Sequence, residues 1–187
     1  MKILRYIIPC ILLIIFMSCD KRTSKKERLE QAISEFNKNQ KSIVLKSYYP
    51  EYYTEIKTDS IIASTFKVSV KNYALMDSGI LINESVEGTK KTAAYHRVFT
   101  SDIIVAVSDK IIYDKQISVA TFKAFSNSGF WQNATLEHVW VNQDNSTAKQ
   151  LSFGISFINP KNDSFKLYEM QIDQYGNEHL TLIEDHS

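Results

Sequence analysis

The segment "LSFGISFINP", residues 151–160, alternates apolar side chains with small or polar ones. Its apolar positions are Leu151, Phe153, Ile155 and Phe157. Successive side chains of a strand point to opposite faces, so a period of two places the apolar set on one side of a sheet. The segment therefore predicts a β-strand that covers a core with one face.

The same alternation appears in two other segments, whose apolar positions are Phe66, Val68, Val70, Tyr168, Met170 and Ile172. Residues 103–107 are apolar on both faces, which is typical of a central strand, and residues 111–113 and 136–141 are interpreted in the same way. Turn-forming residues separate these runs. The last three strands are predicted at Gln150–Ile158, Phe165–Asp173 and Glu178–Ile183, as an antiparallel meander.

The earlier connections are predicted at residues 83–91, with Gly88, and at Ser108-Asp109-Lys110. Ser118 is a candidate cap for a short helix that reaches Phe125, followed by a polar loop at residues 126–129. About eight short strands without a βαβ rhythm favour a mainly β fold. We therefore expect an antiparallel β-sandwich-like single domain, preceded by one short N-terminal helix.

That helix is predicted from Lys25 to about Asn37. Ser24 and Glu27 have the spacing of a capping box, in which each side chain accepts the other residue's backbone N–H. An apolar stripe follows at helical spacing, at Leu29, Ala32, Ile33 and Phe36. The stripe would dock on the domain or bind a partner.

The chain begins with two basic residues, Lys2 and Arg5, followed by an apolar run from Tyr6 to Met17. A short cationic stretch before about a dozen apolar residues is typical of a secretory signal peptide. The alternative, a transmembrane anchor, needs about 20 apolar residues. The run is too short for that, so residues 1–18 are predicted to be a signal peptide.

The end of this run, Phe16-Met17-Ser18-Cys19, resembles a bacterial lipobox. The resemblance implies that Cys19 is linked by a thioether to a diacylglyceryl group, that the chain is cut before Cys19, and that the new amine is acylated. The other cysteine, Cys10, would leave with the signal peptide. The mature chain would then hold no thiol, and disulfides, thiol catalysis and cysteine-ligated metals are not expected.

Three segments follow from this reading: the signal peptide at 1–18, a lipidated cysteine with a basic tether and short helix at 19–42, and the β-sandwich-like domain at 43–187. Loss of the signal peptide changes the net charge from +1 to about −1. No basic field remains to attract nucleic acid. The tether from Asp20 to Arg28 carries a net charge of about +3, which suits a solvated spacer or a contact with anionic lipid headgroups.

The lipobox, the helical spacer and three runs of the domain together resemble a family of uncharacterised β-rich lipoproteins from Bacteroidetes. The runs are "DIIVAVSDKIIYDKQISVATF", "ATLEHVWVNQDN" and "LSFGISFINP". The resemblance implies an envelope location and a β fold, and it supplies no activity. By the same resemblance, surface export would need an acidic stretch after the cysteine. Lys21 and Arg22 stand there instead, so we expect the periplasmic face of the outer membrane.

Aromatic side chains supply the candidate binding residues. The segment "YYPEYY", residues 48–53, places Tyr48, Tyr49, Tyr52 and Tyr53 around a proline. Such rings can stack on sugars or peptides while their hydroxyls form hydrogen bonds; alternatively, they pack on a sheet edge. Trp131, beside a polar loop, is a further stacking candidate, whereas Trp140 lies in a predicted strand and is expected in the core.

The histidines are scattered at His96, His138, His179 and His186, without the spacing of a metal site. Glu137 and His138 are neighbours on a strand and would point to opposite faces unless a bulge intervened. We therefore expect no catalytic residue, no metal and no cofactor. The sequence favours a lipid-anchored, non-catalytic module that binds an envelope protein or a glycan. The alternatives are a small hydrolase of envelope polymers with dispersed carboxylate or histidine residues, and a structural subunit of a lipoprotein complex.

Overall fold

The computed structural model describes residues 24–39, 43–88, 90–123 and 129–187. It is mainly β, with 65% of the described residues in strands and one short helix near the N-terminus, as the sequence predicts. The predicted signal peptide and Cys19 lie outside the described residues. The contacts divide the chain into two units, Met1–Ile43 and Val44–Ser187.

The first unit contains helix α1, Lys25–Asn39. The predicted capping box forms: the Ser24 backbone N–H donates to Oε2 of Glu27 at 2.7 Å, and the Glu27 N–H donates to Oγ of Ser24 at 3.1 Å. Two backbone donors at the helix start are satisfied in this way. The helix ends two residues later than the sequence predicted.

From Ile43 onward, the described residues form nine strands in two sheets. The strands are β1 (Ile43–Tyr49), β2 (Glu55–Ile62), β3 (Phe66–Glu87), β4 (Lys90–Val107), β5 (Lys110–Ile117), β6 (Thr135–Val141), β7 (Gln150–Asn159), β8 (Ser164–Asp173) and β9 (Glu178–His186). The first sheet has the order β1-β4-β3-β2, and β5 also pairs with β4. The second has the order β6-β7-β8-β9, all antiparallel, which confirms the predicted meander.

One hydrophobic core joins the inner faces of both sheets. The four apolar residues of β7 that the alternation singled out, Leu151, Phe153, Ile155 and Phe157, are each 0% exposed. They share a cluster with Val68, Ile103 and other buried residues of β3, β4 and β5. The two sheets thus cover each other, and the β-sandwich-like prediction is confirmed.

Two short helices lie between β5 and β6. Helix α2, Val119–Lys123, begins directly after Ser118, as predicted. Its predicted end and most of the predicted loop fall on residues 124–128, outside the described part, and Gly129, the last residue of that loop, instead begins the next helix. A 3₁₀ helix, Gly129–Gln132, follows. Their aromatic side chains pack against the core: the Phe122 ring lies 4.7 Å from that of Phe157, and the Trp131 ring lies 5.1 Å from it.

Strand β6 is held to the first sheet by buried polar side chains. Oδ1 of Asn72, on β3, accepts the backbone N–H of Val139 at 3.0 Å, and its Nδ2 donates to the Val139 carbonyl at 3.1 Å. Thr135 accepts the backbone N–H of Phe99 through Oγ1 at 2.7 Å. Asn72 is 7% exposed and Val139 1%. The Asn72 amide therefore takes the place of a neighbouring strand along the outer edge of β6.

The hairpin of β3 and β4 is much longer than predicted. Residues 83–91 were expected to form a loop, but Glu84 pairs with Ala93 and the strands continue to Glu87 and Lys90. The side chains there are mostly exposed, so no apolar alternation marks the strands in the sequence. Polar contacts across the pair stabilise it instead, including Lys91 Nζ to Glu84 Oε1 at 2.8 Å.

The reversal between β4 and β5 is the predicted tight turn. Ser108 and Asp109 both have positive φ, 48° and 63°. Two successive residues in that region match the twist of a two-residue hairpin. Asp109 also pairs with Lys67 of β3, which ties the turn to the sheet.

A buried lysine is paired with a carboxylate of the last strand. The side chain of Lys166 on β8 is 4% exposed and its ammonium pairs with the carboxylate of Asp185 on β9. That ammonium, the largest cause, holds the pKa of Asp185 below its usual range. The C-terminal residues are therefore part of the fold: His186 lies in β9, and its ring stacks on that of Phe165 with centroids 4.5 Å apart.

We expect Asp185→Asn to lower the free energy of unfolding by about 1 kcal/mol at neutral pH, because hydrogen bonds to charged groups contribute more than neutral ones by about that amount. Since the folded pKa is depressed, the contribution of Asp185 is present above its unfolded pKa of about 3.9 and is lost as the pH falls through the lower folded value. Urea unfolding at several pH values checks this. The curves of wild type and variant should converge in acid, while Asp144→Asn, in an exposed turn, should match wild type throughout.

Candidate functional site

The two tryptophans occupy the opposite places from those the sequence predicted. Trp131, the stacking candidate, is 3% exposed and packs between Phe130 and Phe157. Trp140, expected in the core, is 37% exposed. Trp131 is thus a core residue, because the 3₁₀ helix turns its ring inward, and it is not available for stacking on a ligand.

A β-bulge in β6 explains the position of Trp140. The pairing with β7 shifts between Leu136 and His138, so Glu137 is an extra residue in the strand. The bulge changes the phase of the alternation: Leu136 and Val139 face the core, and His138 and Trp140 face outward. A bulge re-aims the side chains beyond it in this way.

The indole of Trp140 lies over Gly154 of the neighbouring strand. A Cβ atom at position 154 would be 2.2 Å from Cζ2 of Trp140, so only glycine leaves room for the ring. His138 stacks nearly parallel to the indole, with ring centroids 6.0 Å apart and 13° between the planes. The outer face of the second sheet therefore carries two parallel rings of fixed orientation.

These rings line an open groove of about 490 Å³, a size typical of small-ligand sites. We call it the Trp140 groove; its lining residues are Glu137, His138, Trp140, Ser156, Phe165 and Leu167. A second depression of about 160 Å³ lies on the other side of Trp140 and includes Asn145, Glu169 and Ile183. The indole thus forms a ridge between two concave surfaces with polar rims.

The carboxylates on these rims are held by hydrogen bonds. Ser156 Oγ donates to Glu137 Oε2 at 2.5 Å. Glu169 Oε1 accepts from Asn145 Nδ2 at 2.9 Å and from Ser152 Oγ at 2.8 Å. These bonds, that of Asn145 first, lower the pKa of Glu169, which keeps it ionised at neutral pH. The rims therefore present fixed hydrogen-bond acceptors.

The tyrosine segment divides into one packed ring and three exposed ones. The Tyr48 ring stacks on Tyr95 at 5.2 Å, and the Arg97 guanidinium lies 3.9 Å from its centre. Tyr48 is thus a packing residue that covers the arginine. The exposed tyrosines are Tyr49 (73%), Tyr52 (74%) and Tyr53 (49%).

One of these exposed rings is tethered. The Tyr53 hydroxyl donates to Oε2 of Glu55 at 2.5 Å. Tyr49 meets His96 with ring centroids 5.8 Å apart. The segment remains an exposed aromatic surface, but unlike Trp140 its rings do not line the groove.

Another groove of about 480 Å³ lies on the outer face of the first sheet. Its lining includes Ile61, Lys67 and Ile104 and contains no aromatic residue. Lys67 is already paired with Asp109. This groove lacks the flat ring that distinguishes the Trp140 groove.

In the described ranges, no three His, Cys, Asp or Glu side chains come together as a metal site requires. Among the same residues, no helix has the length and apolar character needed to cross a membrane. No family model matches the sequence, and no curated protein is significantly similar to it.

Sequence reasoning missed the groove because the signals that reveal it are indirect. Gly154 lies within the regular alternation of the segment 151–157. A glycine inside a strand often marks the close approach of another group. Glu137 and His138 interrupt the apolar run of β6, which is where the bulge lies. Read together, these two irregularities on paired strands point to an outward Trp140.

Proposed function

We propose that this protein is a lipid-anchored bacterial envelope lipoprotein whose domain binds a glycan, without catalysis, in the Trp140 groove. The observation that carries the proposal is the partly exposed indole of Trp140, held flat over Gly154 and parallel to His138. A flat aromatic surface can stack on the apolar face of a sugar ring, and the rim acceptors can bind its hydroxyls.

The position of the protein follows from the lipobox-like sequence at Cys19 and the basic residues after it. We place the domain at the periplasmic face of the outer membrane, where envelope polysaccharide is within reach. The resemblance to β-rich Bacteroidetes lipoproteins supports the same location. A protein partner remains the alternative ligand, for which the exposed tyrosines Tyr49, Tyr52 and Tyr53 are the candidate surface.

We expect Trp140→Ala to weaken binding of solubilised peptidoglycan fragments or neutral envelope oligosaccharides by at least about tenfold, which is about 1.4 kcal/mol. Gly154→Ala should weaken it similarly, because the added methyl displaces the indole without removing it. Isothermal titration calorimetry on the purified domain measures both effects.

Tyr175→Ala is the matched control, since Tyr175 is 84% exposed in the turn between β8 and β9 and does not line the groove. It should bind as wild type does. Unchanged affinity in Trp140→Ala would contradict the proposal. Loss of binding in Tyr52→Ala, with binding intact in Trp140→Ala, would move the site to the tyrosine segment.

A hydrolase is the second candidate, because the bulge brings Glu137 and His138 to one groove together with Ser156. The contacts favour binding over this reading. Hydrolysis of a glycosidic bond generally uses two carboxyl groups about 5–9.5 Å apart, whereas the lining of the Trp140 groove contains one, that of Glu137. Release of reducing ends from the same polysaccharides, lost in Glu137→Gln, would favour the hydrolase.

A further inference from the structure

Helix α1 exposes a stripe of large apolar side chains. Leu29, Ile33 and Phe36 follow one another at helical spacing and are 61%, 50% and 64% exposed. Each apolar side chain that leaves water contributes about 1.5–3 kcal/mol. A 15-residue helix alone is marginal in water, so this stripe needs a surface that covers it.

The charges of the helix indicate which surface that is. Lys25, Lys26 and Arg28 stand in its first turn, where the positive end of the helix dipole disfavours cations. Two acidic residues of the same part of the helix lie among them: Glu27, in the capping box, and Glu30, whose Oε1 is 3.9 Å from Lys26 Nζ. Basic residues at the positive end of the helix dipole do not stabilise the helix through that dipole, but they can contact an anionic surface.

Helix α1 follows Cys19 closely in the chain, so a lipid on Cys19 would bring the helix to a membrane. The inference rests on the proposed function for this lipid. Ser24 follows Cys19 by five residues, which span at most about 18 Å when fully extended. A lipid on Cys19 would therefore hold the first turn close to the headgroups. Because the lipid gives α1 a high effective concentration at the membrane, even a weak contact between the helix and the headgroups is sufficient to keep it bound.

We propose that α1 lies in the plane of the membrane surface, with Leu29, Ile33 and Phe36 in the boundary between headgroups and acyl chains. Its basic first turn contacts anionic headgroups. This is the arrangement of an interfacial amphipathic helix. The helix is then a second membrane contact beside the lipid.

The lipidated protein, reconstituted in vesicles of phosphatidylcholine with phosphatidylglycerol, provides the test. With Cys19 acylated and Cys10 removed, a cysteine introduced by Ile33→Cys is the sole free thiol and takes an environment-sensitive fluorophore. Gln31→Cys is the matched control on the opposite side of the helix, and Gln31 is exposed.

We expect the label at position 33 to show a blue-shifted emission and quenching by nitroxide-bearing lipids, and the label at 31 to show neither. The shift should shrink when phosphatidylglycerol is left out. Labels that both stay in water would overturn the proposal. So would a shift at 33 that arises without vesicles and grows with protein concentration, since that indicates self-association. The mass of the N-terminal peptide reports the lipid separately, so an absent lipid and a helix that stays in water are distinct results.

Discussion

Replacing Cys19 by Ala is expected to release the protein from the membrane fraction almost completely. In the proposed lipoprotein, Cys19 carries a diacylglyceryl group and an acylated amine. Each buried methylene contributes about 0.8 kcal/mol, and two or more chains make attachment effectively permanent. Without them, only the weak contact of α1 remains, and salt removes its electrostatic part.

Fractionation of cells followed by a high-salt wash measures this effect. Cys10→Ala is the matched control, because Cys10 lies within the apolar run that the signal peptidase would remove. It should leave the protein in the membrane fraction. If Cys19→Ala remains bound through the salt wash, the lipoprotein proposal is wrong.

Replacing Asn72 by Leu is expected to lower the free energy of unfolding by about 2–6 kcal/mol. The substitution keeps the branching and the number of side-chain heavy atoms but removes both partners of Val139, whose backbone N–H and C=O are bound by the Asn72 amide. Each buried group left without a partner costs about 1–3 kcal/mol. The cost arises between the sheets, where water does not replace the lost bonds.

Urea unfolding gives this change directly, and thermal unfolding should follow at about 2–4 °C per kcal/mol for a chain of this size. Asn83→Leu is the control, since Asn83 is an exposed residue of the β3–β4 hairpin. Exposed substitutions usually change stability by no more than about 0.5 kcal/mol. Equal effects of the two substitutions would show that the Asn72 bonds do not hold the sheets together.

The meander of β7, β8 and β9 was predictable because its alternation is uninterrupted. Each apolar residue from Leu151 to Phe157 faces the core, and turn-forming residues separate the strands. Sequence patterns report burial, and the alternating apolar side chains of β7 and β8 are buried. Strand β9 is mostly exposed, and the turn-forming residues before it marked its start. The capping box of α1 was predictable for a similar reason, since both of its partners lie within one helical turn.

The groove was not predictable because it depends on a single extra residue. Without the bulge at Glu137, a strict period of two would place Leu136, His138 and Trp140 on one face. The bulge separates Leu136 from the other two. The prediction for Trp131 was wrong because its polar neighbours in the sequence suggested an exposed loop. Tertiary packing on Phe157 places the ring in the core instead. Both errors concern contacts between segments distant in sequence.

The Asn72 amide that binds β6 would have a consequence for association between molecules if the proposed lipid on Cys19 confines the protein to a bilayer. Confinement raises local concentration, which favours fibre-like growth through unpaired backbone groups. On β6 the Val139 groups are already bound. On β2, Glu55, Lys57 and Asp59 carry charges that discourage a neighbouring molecule from adding its own strand. At these two edges, strand addition between molecules is therefore disfavoured.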